Sequence, residues 1–224
     1  MVGTNAELRK FVAPEFVFGL GARQLSGRYA MNLGVSEVLV VTDQGIITAG
    51  WTREVTASLE DAGMACHLFS DLTPNPKAGE VMAGAEVYAR NRCDTIVAVG
   101  GGSSIDCAKG IGIVSANGGD ILDYEGVDRV ASPGPPLICI PTTGGSSADV
   151  SQFAIITDPA RRMKIAIISK VVVPDVSLID PLTLTTKSSV LTAHTGMDAL
   201  AHAFEAYVSN AGSPLTDLLA LEAI

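Results

Sequence analysis

The chain is 224 residues long, 47% hydrophobic and 17% charged, with a net charge of −9. That composition belongs to a core-rich globular protein of one large domain or one and a half, and it excludes an intrinsically disordered chain. The charge argues against a nucleic-acid surface, no apolar run approaches a membrane span, and the first ten residues hold no signal-peptide core, so a cytoplasmic protein with neither nucleic-acid nor membrane partner is expected. In chain order, residues 14–19 read as a short edge strand, with Gly19 and Gly21 in the turn behind it. Residues 23–33 suit a helix. Residues 38–43, Val-Leu-Val-Val-Thr-Asp, form a buried strand ending in an acid. Residues 47–62 carry a helical pattern that stops at Gly63. A strand over 65–69, a stiff turn at Pro74-Asn75-Pro76 and a helix over 77–92 follow. Residues 95–99 and 136–141 are further buried strands.

This alternation predicts an α/β fold, a Rossmann-like parallel sheet with helices on both faces. In such sheets ligands sit beyond the carboxyl ends of the strands, so Asp43, Asn75, the glycines after residue 99 and Thr142 should meet in one crevice. Past Pro141 the texture changes. Residues 142–149 are a second small-residue loop, dense in hydroxyls. Residues 153–157 and 164–169 pair as a hairpin around Asp158-Pro159, and residues 171–179 add a strand broken by Pro174. From Lys187 onward the pattern is only helical, and it stops at Ile224 without a helix-ending signal, as in a C-terminally truncated chain. A division into residues 1–185 and the start of a helical domain, 186–224, is expected. Cys66, Cys93, Cys107 and Cys139 are scattered in or beside apolar stretches, which suits free thiols in a reducing compartment.

Two stretches carry chemistry. The strand ending at Val99 runs into Gly100, Gly101 and Gly102, and Ser103 then reads as the cap of a helix, with Asp106 as its capping-box acid. A strand turning through glycines into a helix N-terminus aims bare N–H groups at one point and makes a seat for phosphate. The spacing is that of neither common nucleotide fingerprint, and a plain strand–helix turn remains open. In the second stretch, Met197, Leu200, Ala201, Phe204 and Val208 form an apolar stripe, while Asp198, His202 and Glu205 share the other side. Asp198 and His202 are four residues apart, a spacing at which a carboxylate and an imidazole can grip one divalent cation. Thr195 to Asp198 also reads as a capping box, which leaves a surface pair as the alternative. His194 precedes that helix, and His67 has no evident partner.

Together these residues resemble the iron-containing (group III) alcohol dehydrogenase family. The matching pieces are residues 40–43, Pro74-Asn75-Pro76, the run Gly100-Gly101-Gly102-Ser103 with Asp106 and Lys109, Pro141-Thr142-Thr143 with Gly145, Arg162 with Lys164, and residues 196–205. The resemblance implies a dehydroquinate-synthase-like architecture, with NAD across the sheet. Gly100, Gly101, Gly102 and Ser103 would hold its pyrophosphate. Asp43 would face the adenosine ribose, and its charge would favour NAD over NADP. Thr142, Thr143 and Ser146 would line the cofactor, and Asn75, Asp106, Lys164 and Leu182 match cleft positions. Asp198 and His202 match two metal ligands, with the family's further histidines beyond Ile224. The metal would be Fe2+, although Asp plus His also accepts Zn2+, Mn2+ or cobalt. Ser146 and Asp149 stand where the family usually has threonine and glutamate, each one carbon shorter.

The implied reaction is hydride transfer between a small alcohol or diol and NAD, giving an aldehyde, with the metal as Lewis acid toward the alcohol oxygen. Two alternatives stay open. One is a maleylacetate-reductase-like or polyol-phosphate enzyme of the same superfamily. The other is a non-catalytic nucleotide-binding fragment. A homodimer or larger homo-oligomer is expected, with the edge strand near Phe16 as one surface for pairing.

Overall fold

The structure, a computed structural model, describes residues 11–224. The signal-peptide reading and the first ten residues of the 1–185 domain lie outside the described residues. The α/β part runs β1 (Glu15–Phe18), α1 (Ser26–Leu33), β2 (Glu37–Val41), α2 (Gln44–Ala49), α3 (Trp51–Asp61), β3 (Ala65–Phe69), α4 (Ala78–Arg90), β4 (Thr95–Gly100), α5 (Gly102–Asn117), β5 (Gly126–Val127) and β6 (Leu137–Pro141). A hairpin, β7 (Phe153–Asp158) and β8 (Met163–Ile168), then leads to β9 (Val176–Ile179). Two helices close the chain, α6 (Ser189–Val208) and α7 (Pro214–Ala223).

Six strands form one parallel sheet in the order β1-β9-β6-β4-β2-β3. Successive side chains of a strand point to opposite faces, and both faces are covered. Leu39, Val41, Ile96, Ala98 and Cys139 pack under α4 and α5 with Val81, Ile105 and Ile111. Val38, Val40, Val97, Val99, Ile138 and Leu178 pack under α1 and α3 with Ala30, Val55 and Leu59. The expectation of helices on both faces is met, because β2, β4 and β6 are apolar at nearly every position and bury both sides.

The chain steps outward from β2 to β3, then returns across β2 to β4. The helix following β2 lies on one face and the helix following β4 on the other, so a crevice opens between their carboxyl ends. Asp43 follows β2 and the glycine run follows β4. The hairpin forms a second, small sheet with β5. Its turn is held by Asp158, whose carboxylate accepts from the Ala160 and Arg161 N–H groups at 2.9 and 3.2 Å.

Several boundaries differ from the expectation. The single helix over 47–62 is two, because Gly50 takes a left-handed φ of 89° that ends α2 and redirects the chain into α3. The strand over 171–179 is a 3-10 turn, Lys170–Val172, followed after Pro174 by β9. The helix over 23–33 opens as a 3-10 turn, Ala22–Leu25. The capping assignments change too. Gly101, not Ser103, is the cap of α5, and Ser103 and Asp106 both lie within the helix. Helix α6 starts after Ser188, whose hydroxyl accepts from the Leu191 N–H at 3.2 Å. Thr195 and His194 therefore lie inside α6, and the Thr195–Asp198 capping box does not form. His67 does have a partner, Glu37 at 2.8 Å. All four cysteines are free thiols; Cys93, Cys107 and Cys139 are buried and Cys66 is half-buried. The apolar stripe of α6 is uncovered: Met197 is 63% and Val208 75% exposed, and only Ala203 of the helix is buried.

Candidate active site

A cleft of about 880 Å³ runs along the carboxyl ends of the sheet strands to α6. Its lining includes Asp43, Gly101, Gly102 and Ser103, and also Asp198 and His202. Asn75, Asp106, Thr142, Thr143, Ser146 and Lys164 line it as well. Residues from six separate stretches of sequence thus face one space.

The glycine run and the second loop nest against each other. A Cβ placed on Gly102 would lie 2.6 Å from the Ser146 Oγ, and one on Gly101 would lie 3.1 Å from Thr143. No side chain fits between the loops, so the bare N-terminus of α5 is kept open to the cleft. The first turn of α5 has no side-chain cap and no acid, leaving its N–H groups and the positive end of the helix dipole for an anion. Ser103 Oγ accepts from the Asn75 N–H at 3.0 Å, and the Asn75 carbonyl accepts from Thr157 at 3.2 Å. Asn75 itself sits at φ 59°, a left-handed bend between its two prolines. These bonds tie the wall after β3 to the glycine run.

Asp43 caps α2 through Oδ1, which accepts from the Ile46 N–H at 3.1 Å. Its Oδ2 accepts from Ser104 at 3.3 Å. The carboxylate is thereby fixed at the rim with capacity left for a further donor. Asp106, one turn inside α5, lines the cleft. Burial pushes its carboxyl up to about 7, against the opposing pull of Lys109, a hydrogen bond from the Ile155 N–H and Lys164. Lys109 is buried beneath it and donates to the Ser151 and Phe153 carbonyls at 2.7 and 2.8 Å, with burial lowering its own pKa.

The Asp198 Oδ1 and His202 Nε2 are 3.5 Å apart on one face of α6. The carbonyl of Thr195 and the side chain of Asp198 lie against Gly145, where a Cβ would meet them at 2.9 and 2.8 Å. The second loop therefore touches the glycine run on one side and the Asp198 turn on the other. One oxygen and one nitrogen donor suit a divalent first-row cation and make half of a four-donor set. Among the described residues no third His, Cys, Asp or Glu joins them.

Comparison with known proteins bears directly on this arrangement. The profile of the family described as iron-containing alcohol dehydrogenase matches residues 13–181, and that of the Fe-containing alcohol dehydrogenase C-terminal region matches residues 192–224. The chain belongs to the iron-containing alcohol dehydrogenase family. It is 45% identical over 215 residues to alcohol dehydrogenase 4 of Schizosaccharomyces pombe, covering 96% of this chain and 51% of that protein. It is 40% identical to the NAD-dependent methanol dehydrogenase of Bacillus methanolicus, covering 96% of this chain and 56% of that one. A crystal structure of 1,3-propanediol oxidoreductase superposes with a TM-score of 0.94 at 38% identity, covering 96% of this chain and 57% of its own. The chain spans about half the length of the relatives it matches.

In this chain, two of the expected cofactor residues do not line the cleft. Gly100 lies beneath it, where a Cβ would meet the Ser104 hydroxyl at 2.3 Å, so its part is to let β4 turn into α5. Leu182 lies outside the lining, and its neighbour Thr183 takes that place. Sequence reasoning missed Thr186, Lys187 and Leu191, which also line the cleft. The cluster of threonine, lysine and serine just before α6 was a loop signal. Nothing in the sequence said that this loop folds back over the carboxyl ends of the strands.

Proposed function

We propose that the protein is an NAD-dependent, iron-containing alcohol dehydrogenase that interconverts a small alcohol or diol with its aldehyde. One observation carries this reading: a single cleft is lined both by the open N-terminus of α5 and by the Asp198–His202 pair. Gly101, Gly102 and Ser103 receive the cofactor diphosphate on the helix N–H groups. Asp43 accepts from the ribose hydroxyls and repels a 2′-phosphate, which selects NAD. Asn75, Thr142, Thr143, Ser146 and Lys164 line the path toward the reactive ring, and Gly100 supports the turn beneath. Asp198 and His202 supply two ligands to Fe2+. When bound, NAD would supply the hydride acceptor and iron the Lewis acid toward the alcohol oxygen. The chain's own part is alignment, because the sheet ends and α6 hold the two reacting centres across one gap.

The reading divides the chain into a nucleotide-binding part, residues 1–185, and a metal-binding helical part, 186–224, in line with the two family matches at 13–181 and 192–224. Free thiols suit the cytoplasm. The edge strand β1, with Phe16 62% and Phe18 72% exposed, suits pairing with a second copy. The test is an alcohol and aldehyde panel followed by NADH absorbance, with Fe2+ added anaerobically, beside metal analysis of His202→Ala. The variant is expected to lose metal and turnover while binding NAD with unchanged affinity. Metal retained at wild-type stoichiometry would remove His202 from the ligand set.

A further inference from the structure

Helix α6 carries the metal pair, yet it is weakly attached to the α/β part. Only Ala203 of its 20 residues is buried. Among the described residues, no side-chain hydrogen bond runs from α6 back to the sheet or its helices. The height of Asp198 and His202 over the cleft therefore depends on two supports, the packing of the Asp198 turn on Gly145 and the segment that leads into the helix.

That segment is held at three points. Asp180, fully buried, is paired with Arg23 at 2.5 Å and accepts from the Gly21 and Leu182 N–H groups at 3.0 and 3.1 Å. Thr183 donates to the Pro141 carbonyl at 2.8 Å, next to the second loop. The third point is Trp51, the first residue of α3 and the single tryptophan of the chain. Its indole N–H donates to the Thr186 Oγ1 at 2.9 Å. The ring is itself fixed, because the Arg23 guanidinium lies 4.8 Å from its centroid while also gripping Glu54 at 2.6 and 2.9 Å. Two residues beyond Thr186 the Ser188 cap begins α6. Inside the entry, Lys187 Nζ donates to the Thr195 Oγ1 at 3.2 Å, one turn before Asp198.

We propose that Trp51 and Thr186 are positioning residues: their hydrogen bond is the clamp that sets where α6 presents Asp198 and His202 to the cleft. As a role in catalysis this rests on the function proposed above; as a structural constraint on α6 it does not. Trp51 does not line the cleft, so its contribution passes through Thr186 and the helix and not through direct contact with a ligand.

The test compares Thr186→Val, Thr186→Ser and Trp51→Phe in the purified protein, by amide hydrogen exchange, NAD calorimetry and turnover after Fe2+ loading. Valine removes the acceptor oxygen and serine keeps it; phenylalanine keeps an aromatic ring toward Arg23 while removing the donor and part of the ring surface. In Thr186→Val and Trp51→Phe, exchange in peptides covering the first turns of α6 should quicken on the order of tenfold as the clamp opens. Turnover should fall on the order of tenfold from misplacement of the reacting centres. In Trp51→Phe, whose site lies outside the cleft lining, the NAD dissociation constant should stay within about twofold, since the glycine run is untouched. Thr186→Ser should restore both exchange and turnover, and the Trp51→Phe/Thr186→Val pair should be no worse than either single change. Unchanged exchange in both single variants, a serine variant as impaired as valine, or additive losses in the pair would overturn the clamp. If the wild type oxidises no alcohol with NAD, the proposed function falls, and the exchange data still decide the clamp.

Discussion

Asp106 offers a sharp test of how the cleft is built, because a carboxyl there works against the fold once it ionises. Its ordinary pKa is 3.8 and burial in the cleft wall raises it to about 7. Folded protein therefore holds a proton that the unfolded chain has already released. Stability contributed by the protonated form is fully present below pH 3.8 and is lost as pH rises toward 7, since the unfolded state binds fewer protons throughout that window. The full loss is worth up to roughly 4 kcal/mol, and Lys164 and Lys109 limit it. Asp106→Asn keeps the shape and the neutral charge at every pH. Below pH 3.8 the variant and wild type should melt close together, and by pH 5 roughly a third of the wild type's loss is already present. At pH 8 the variant should be the more stable, by up to about 10 °C for a chain of this size. Because other acids titrate equally in both proteins, the quantity to follow is the difference in Tm between them from pH 5 to pH 8. A difference that stays flat, or one in which the wild type gains on the variant as pH rises, would refute a carboxyl held neutral by burial.

Two further outcomes are expected. Gly145→Ala forces a Cβ to 2.9 Å from the Thr195 carbonyl and 2.8 Å from Asp198, so the second loop and α6 must part. Turnover should drop on the order of tenfold or more through lost alignment, with NAD affinity nearly intact; equal losses in both, by calorimetry and NADH absorbance, would place the damage in the cofactor seat instead. Asp43→Gly removes the charge facing the ribose, and the ratio of kcat/KM for NAD over NADP should fall about tenfold or more. An unchanged ratio would take Asp43 out of cofactor selection and leave it as the cap of α2 alone.

Much of this protein is legible in its sequence. The runs at 38–41, 96–99 and 137–140 have no polar position, which only a sheet buried on both faces accommodates, and helical patterns between such strands leave parallel pairing as the simple solution. The three consecutive glycines and the Asp198–His202 spacing are local signals, set by residues close enough in the chain to share one turn or one helix face. What the sequence could not decide were questions of meeting. Ser103 looks like a cap by residue type, but the Asn75 N–H, 28 residues away, claims its hydroxyl, and the helix starts one residue before it. Gly145 reads as one small loop residue among many; only the approach of α6 shows that any side chain there would collide. Trp51 and Thr186 are 135 residues apart, and no periodicity links an indole N–H to a hydroxyl over that distance. Local propensity and burial depend on neighbours along the chain, so they can be read from it. Which polar group satisfies which, and which loops stand close enough to need glycine, is decided by the path of the backbone through space, and that path exists only once the sheet has closed its core.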